Sequence, residues 1–176
     1  GELRETLRLD QLPDAAALGP DGAIALARQG TVEFLAGDRR KKTVFKTPVT
    51  ALAFAPGGRL LAITGGAMHD GLSGTRLFAL DGDTRAFTVN GDRLYTLLGD
   101  MLGVRDLKDG KLLKRFPIRE TIGSYGAIAS DGRHVWISGP DTWRLCRIEM
   151  ATGNETRLTA PERSVTSLSA AFCAVV

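Results

Sequence analysis

The chain has 176 residues, of which 43% are hydrophobic and 24% are charged, and its net charge is +3. These proportions are typical of a folded globular domain and exclude an intrinsically disordered chain. The mildly basic balance allows an acidic partner without requiring nucleic acid. No apolar run approaches the ~20 residues that span a bilayer, and the charged segment GELRETLRLD lacks a signal-peptide core. We therefore expect a cytoplasmic protein with no membrane span.

Short apolar runs follow one another along the chain, and none shows the 3.6-residue period of a long helix. They are rich in β-branched and aromatic residues, which favour strands. In chain order the predicted strands include TVEFLAG (31–37), VTALAFA (49–55), RLLAITG (59–65), TRLFALD (75–81), RLYTLLG (93–99), HVWISG (134–139) and WRLCRIEM (143–150).

Turn signals recur between these strands in two interleaved series. The first series is Pro20-Asp21-Gly22, Pro56-Gly57-Gly58, Asn90-Gly91 and Ser130-Asp131-Gly132, spaced 33 to 41 residues apart. The second series is Gly37-Asp38, Asp81-Gly82, Asp109-Gly110 and Thr152-Gly153-Asn154. Gly supplies the positive φ that tight hairpins need. Each repeat therefore holds two hairpins joined by a connector, which makes four strands.

Four-stranded units of this length predict an all-β fold, a β-propeller with about four recognisable blades and a partial fifth. The expected units are approximately 12–47, 48–85, 86–117 and 118–160, with the partial unit at 161–176. The second unit is expected to lose most of its outer strand. The ring is either closed by the N-terminal strand or completed by another chain or segment, and we favour the incomplete ring.

The segment MLGVRDLKDGKLLKRF (101–116) is expected to be the second hairpin of the third unit, with Leu112 and Phe116 on one face and Leu113 on the other. Together with VTALAFAPGGRLLAITGG and GAIASDGRHVWISGP, it resembles the repeats of the WD40 and wider YVTN-like propeller superfamily. The resemblance covers about 13–176. Arg105 stands where those repeats carry Trp, and only Asp106 matches their internal hydrogen-bond network.

The resemblance implies a rigid scaffold that displays loops to a partner, as a regulatory portion of a larger bacterial multidomain protein. We therefore expect a non-enzymatic interaction or sensing module. One alternative is a propeller enzyme, a lactonase-like hydrolase or a quinone-dependent dehydrogenase, although the inner strands carry no recurring Asp, Glu or His. No cofactor is predicted. Cys146 and Cys173 form no CxxC pair, so no metal site is predicted either.

The connector rim is the first candidate binding surface, because loops on rigid scaffolds often carry function. The longest connector is expected at TGGAMHDGLSG (64–74). Trp143 is the best candidate for an exposed aromatic anchor, whereas Trp136 is expected in the core. The predicted partner-binding residues are Met68, His69, Asp70, Arg119, Glu120, Asp141, Trp143 and Arg163.

A basic edge is the second candidate surface. Its predicted residues are Arg39, Arg40, Lys41, Lys42, Lys108, Lys111, Lys114 and Arg115. They are expected near the tight-turn rim and the outer edge of two blades, where they could hold an acidic protein or a nucleic-acid backbone. Lysine and arginine on an edge strand also prevent edge-to-edge association, so a purely solvated edge is the competing interpretation.

Overall fold

The protein is described from a computed structural model that covers residues 12–82, 84–118, 127–138 and 144–159. Over these ranges the chain forms sixteen β-strands and two short 3-10 turns, Pro20–Gly22 and Pro56–Gly58. The strands make four antiparallel sheets of four, and strands consecutive in sequence are neighbours in each sheet. The predicted all-β fold with four four-stranded blades is therefore confirmed.

Each blade is numbered from its inner to its outer strand. The first contains β1 (Ala15–Leu18), β2 (Ile24–Arg28), β3 (Thr31–Ala36) and β4 (Arg39–Val44). The second contains β5 (Val49–Phe54), β6 (Leu60–Thr64), β7 (Ala67–Asp70) and β8 (Arg76–Ala79). The third contains β9 (Thr84–Asn90), β10 (Arg93–Leu98), β11 (Met101–Asp106) and β12 (Leu112–Pro117). The fourth contains β13 (Ala127–Ser130), β14 (His134–Ser138), β15 (Arg144–Glu149) and β16 (Glu155–Thr159).

The blades are arranged radially. The first strands β1, β5, β9 and β13 contact one another in that order, so they lie side by side near an axis while the fourth strands lie at the circumference. This is the geometry of a β-propeller. The predicted partial fifth unit lies outside the described residues.

The hydrophobic core lies between blades, because each sheet buries one face against its neighbour. The cluster between the first and second blades includes Ala25, Val32 and Leu60. The cluster between the second and third blades surrounds Leu94. The cluster between the third and fourth blades includes Ile137 and residues of β11, β12 and β15. Alternating residues of each strand supply these clusters, as the pleat requires.

Two sequence predictions about strands can be compared directly with this architecture. The second blade keeps its outer strand, since Arg76–Ala79 pairs with β7, so the predicted loss of that strand is wrong. The third blade matches the predicted faces, because Phe116 is buried and Leu113 on the opposite face is 46% exposed. Trp136 is only partly buried and points to the other face of β14 from its buried neighbour Val135, so its predicted place in the core is correct only in part.

Candidate functional site

The glycine-rich segment 64–74 does not form the single long connector that the sequence predicted. Gly65 and Gly66 make a tight turn, with φ of 56° and 71°, and the next four residues form β7, which pairs with β6 and β8. The glycines at the two ends of the segment belong to separate turns on opposite rims, which is why a single loop was the wrong interpretation.

The side chains of β7 are engaged within the fold. Met68 has no exposed surface and packs between the second and third blades, so it is not available to a partner. The Nδ1 atom of His69 lies 3.1 Å from the carbonyl oxygen of Gly74, and its ring meets Phe45 edge-on at a centroid distance of 5.6 Å. Both residues therefore stabilise the second blade.

Asp70 holds the turn that follows β7. One carboxylate oxygen accepts hydrogen bonds from the backbone N–H groups of Leu72 and Ser73, at 3.1 and 2.9 Å, and the other accepts one from Arg59 Nε at 3.1 Å. Burial raises the pKa of Asp70, but these donors outweigh it and the pKa is lowered. The ionised carboxylate is thus a structural element of this turn.

The other predicted partner-binding residues, Arg119, Glu120, Asp141, Trp143 and Arg163, lie outside the described residues, as does Cys173. The described residues therefore bring together only Met68, His69 and Asp70 of that set. Cys146 is buried in β15 and contributes to the cluster between the third and fourth blades.

A recurring six-residue turn joins the third and fourth strands of three blades, and the sequence analysis identified the glycines of two of these turns but not the shared pattern. Its first residue is Asp70, Asp106 or Glu149, and its fifth is Gly74, Gly110 or Gly153. In each turn the glycine N–H donates to the carbonyl of the first residue, at 2.7 to 3.0 Å. The glycine φ lies between 74° and 77°. The pattern acidic-x-x-x-Gly is legible in the sequence and could have been found there.

The same glycines bring adjacent blades together. A Cβ built on Gly110 would lie 2.8 Å from Phe78 Cε2, in the outer strand of the preceding blade, and one on Gly153 would lie 2.8 Å from Phe116 Cδ1. Gly74 faces Thr43 Cγ2 more loosely, at 3.3 Å. Each turn therefore packs against the outer strand of the blade before it.

The basic edge lies at the circumference of the propeller, on the outer strands of three of the four described blades. The first blade contributes β4, RRKKTV, whose four basic side chains are all exposed. The second contributes Arg76 of β8, and the third contributes Lys114 and Arg115 of β12, all exposed. No Asp or Glu occurs in these three strands. We call the seven residues the basic band: Arg39, Arg40, Lys41, Lys42, Arg76, Lys114 and Arg115. Lys108 and Lys111 lie beside it in the turn after β11.

The two ends of the basic band differ in how their charges are compensated. In the third blade, Arg115 lies 3.0 Å from Asp81, and Lys114 lies over the Phe116 ring at 4.4 Å. In the first blade, Lys42 of β4 forms an ion pair with Glu33 at 2.7 Å. The hydrogen bond from Lys42 lowers the pKa of Glu33. Within the described residues the other three cations of β4 form no ion pair, and the charge of Arg40 also lowers the pKa of Glu33.

A shallow pocket lies beside β3 and β4. It has a volume of about 270 Å³ and is lined by Glu33, Phe34, Leu35, Arg40, Lys41 and Lys42. Its lining combines two apolar residues, three cations and the Glu33 carboxylate.

Arg105 occupies the place where the resemblance predicts Trp. Its side chain is only 7% exposed and lies 2.7 Å from Asp81, and its Nη1 donates to the Gly110 carbonyl at 2.9 Å. Asp81 therefore holds Arg105 and Arg115 together, and the hydrogen bond and charge of Arg105 lower the pKa of Asp81. Arg105 thus links β11 to the turn that follows it, through Gly110, and to the segment before β9, through Asp81.

The described residues contain neither a metal centre nor a membrane-spanning helix. No group of three or more His, Cys, Asp or Glu residues in that part of the chain is placed to hold a metal ion. No helix there is long and apolar enough to cross a membrane.

Comparison with solved structures places this architecture among β-propellers. BamB from Moraxella catarrhalis is 19% identical, with a TM-score of 0.61 over 85% of this chain and 48% of that chain. The mitotic checkpoint complex includes a chain that is 16% identical, with a TM-score of 0.66 over 88% of this chain and 52% of that one. Hydrazine synthase from Kuenenia stuttgartiensis is 13% identical, with a TM-score of 0.65 over 90% and 53%.

These likenesses concern the fold, since all three identities are low. The chain spans about half the length of the solved structures that it matches. No family model matches the sequence, and no curated protein matches it.

Proposed function

We propose that this chain is a non-enzymatic interaction module whose basic band binds an acidic protein partner. The observation that carries the proposal is that the outermost strands of three successive blades hold seven Lys and Arg residues and no Asp or Glu. Since the net charge of the whole chain is only +3, these seven positive charges are concentrated on the outermost strands rather than spread evenly. The wider suggestion of a cytoplasmic regulatory scaffold is part of the same proposal.

The propeller provides a physical mechanism for such binding. Its blades fix strands from distant parts of the sequence around one circumference, so the charges are displayed before a partner arrives. Preorganisation lowers the entropy that binding must otherwise overcome. Exposed charges also steer an acidic partner into encounter, at a rate that falls as salt rises.

A titration with fluorescent polyglutamate tests the proposal. We expect saturable binding that weakens steeply as sodium chloride increases, since ionic strength screens exposed charges. Reversal of Arg40 and Lys41 to Glu should abolish it, whereas Arg133→Glu, at an exposed turn away from the basic band, should leave it unchanged. Absence of salt-dependent binding would refute the proposal. Tighter binding of a duplex DNA of equal charge would favour the nucleic-acid alternative instead.

We also propose that a further blade, supplied by another chain or segment, covers the face of the first blade that points away from the second. Leu18 and Val44 lie on that face and are 65% and 77% exposed. By the strand register the two residues lie at opposite corners of that face, and large apolar side chains exposed in this way favour contact with another protein surface that covers the whole sheet. Sedimentation of the purified chain, compared with a Leu18→Ser and Val44→Ser double variant, tests this part of the proposal. A wild-type chain that is monomeric at all concentrations would exclude a second copy as the source of the blade.

A further inference from the structure

We infer that β4 is a docking edge for one class of partner, an acidic extended peptide that adds to the first blade as a fifth strand. The inference rests on the proposed function and specifies its binding mode. It starts from the sheet order, in which β4 is the last strand. The outer edge of such a strand presents backbone N–H and C=O groups that can pair with another strand.

The backbone direction identifies which residues face that edge. The N–H of Phe45, directly after β4, donates to the carbonyl of Gly30 on the β3 side at 2.7 Å. Amide direction alternates along an antiparallel strand. Arg40, Lys42 and Val44 therefore direct their N–H and C=O groups towards the free edge. With six residues, β4 offers an edge of about 20 Å.

The charges of β4 select the occupant. Lys42 and Arg40 lie on the same face as Glu33 and Leu35, by the β3–β4 register. Arg39 and Lys41 lie on the other face. A second copy of β4 would bring cations against cations, so self-association along this edge is unfavourable. An added strand with carboxylates along one face would instead meet either Arg39 and Lys41 or, on the other face, Arg40, and none of these three cations has an ion pair among the described residues.

The third blade provides an internal contrast. Its outer strand β12 is also basic and also at a sheet edge. However, Arg115 pairs with Asp81, and Lys114 lies over Phe116 and 3.5 Å from the Met150 carbonyl oxygen. The pocket also lies beside β4. An acidic strand would therefore gain more at β4 than at β12.

The test uses a fluorescent peptide of alternating glutamate and valine, as long as β4, and two N-methylated versions. One version is methylated on the glutamates and the other on the valines, so that one of them has lost the N–H groups that face β4 while both keep every charge. We expect at least one to bind about tenfold more weakly or worse, because several backbone hydrogen bonds are removed. Unchanged affinity of both versions would overturn strand addition.

Protein variants locate the edge. Arg40→Glu with Lys41→Glu should abolish binding of the glutamate peptide and create binding of a lysine-valine peptide. The matched pair Lys114→Glu and Arg115→Glu should weaken the glutamate peptide by a smaller factor, and Arg133→Glu, outside the basic band, should leave it within about twofold. Circular dichroism checks that each variant is folded. Greater loss from the β12 pair would overturn the assignment to β4. If polyglutamate binds but methylation has no effect, strand addition fails while the proposed function stands. If no acidic probe binds, both fail.

Discussion

Replacement of Gly110 by Ala tests whether the recurring turn locks adjacent blades together. Gly110 has a φ of 74°, and an L-residue in that region costs about 1–2 kcal/mol. The new Cβ would also overlap the Phe78 ring of the preceding blade. Overpacking of this kind costs about 1–3 kcal/mol. The free energy of unfolding should therefore fall by about 2–5 kcal/mol.

Gly91→Ala is the matched control. Gly91 also has a positive φ, 56°, but a Cβ there meets nothing within 4 Å, so only the backbone cost of about 1–2 kcal/mol applies. Gly74→Ala should be intermediate, because its Cβ would lie 3.3 Å from Thr43 Cγ2.

Urea and thermal unfolding, followed by circular dichroism, measure the three variants. Each kcal/mol should lower the melting temperature by about 2–4 °C for a chain of this size. A Phe78→Leu background should recover part of the loss in Gly110→Ala, since the ring is the source of the overlap. If Gly110→Ala lost no more free energy of unfolding than Gly91→Ala, the packing of the turn on the preceding blade would contribute nothing measurable to stability.

Two further predictions concern Asp81 and Met68. Asp81→Asn should lower the free energy of unfolding at neutral pH, because it removes the carboxylate that pairs with Arg105 and Arg115. These two arginines lower the pKa of Asp81 in the folded state. The stability that the ionised carboxylate contributes is present above the ordinary pKa of about 3.9 and is lost as the pH falls through the lowered folded pKa. In urea unfolding, the difference in free energy of unfolding between wild type and variant should therefore be largest near neutral pH and disappear on acidification. Met68→Ala should lower the free energy of unfolding by about 2–5 kcal/mol, because Met68 is fully buried. Unchanged stability together with lost polyglutamate binding would instead support the original prediction that Met68 contacts a partner.

The local elements of this fold could be predicted because their causes are local. A hairpin turn needs a residue that accepts positive φ, and Gly91 and Gly132 supply it where the sequence analysis expected turns. Alternation of polar and apolar residues fixes which side chains share a face, so Leu113 and Phe116 could be assigned to opposite faces. The basic composition of β4 was likewise legible before its position was known.

The segment 64–74 was misread for a related reason. Glycine marks a turn but does not indicate whether two neighbouring glycines serve one turn or two. The decision depends on whether the residues between them find strands on both sides, and β6 and β8 provide them for β7. Strand pairing is a tertiary interaction, so the four residues Ala67–Asp70 carried no decisive signal of their own.

By itself the sequence determined the repeat, the turns, the all-β class and the concentration of cations on edge strands, since each follows from residue type and short-range spacing. Only the tertiary structure decided which cations are compensated. Arg115 meets Asp81 because the third blade packs beside the end of the second, whereas Arg39, Arg40 and Lys41 of β4 form no ion pair among the described residues. Charge compensation depends on distances of a few ångströms between segments far apart in the chain, and those distances exist only once the blades have assembled.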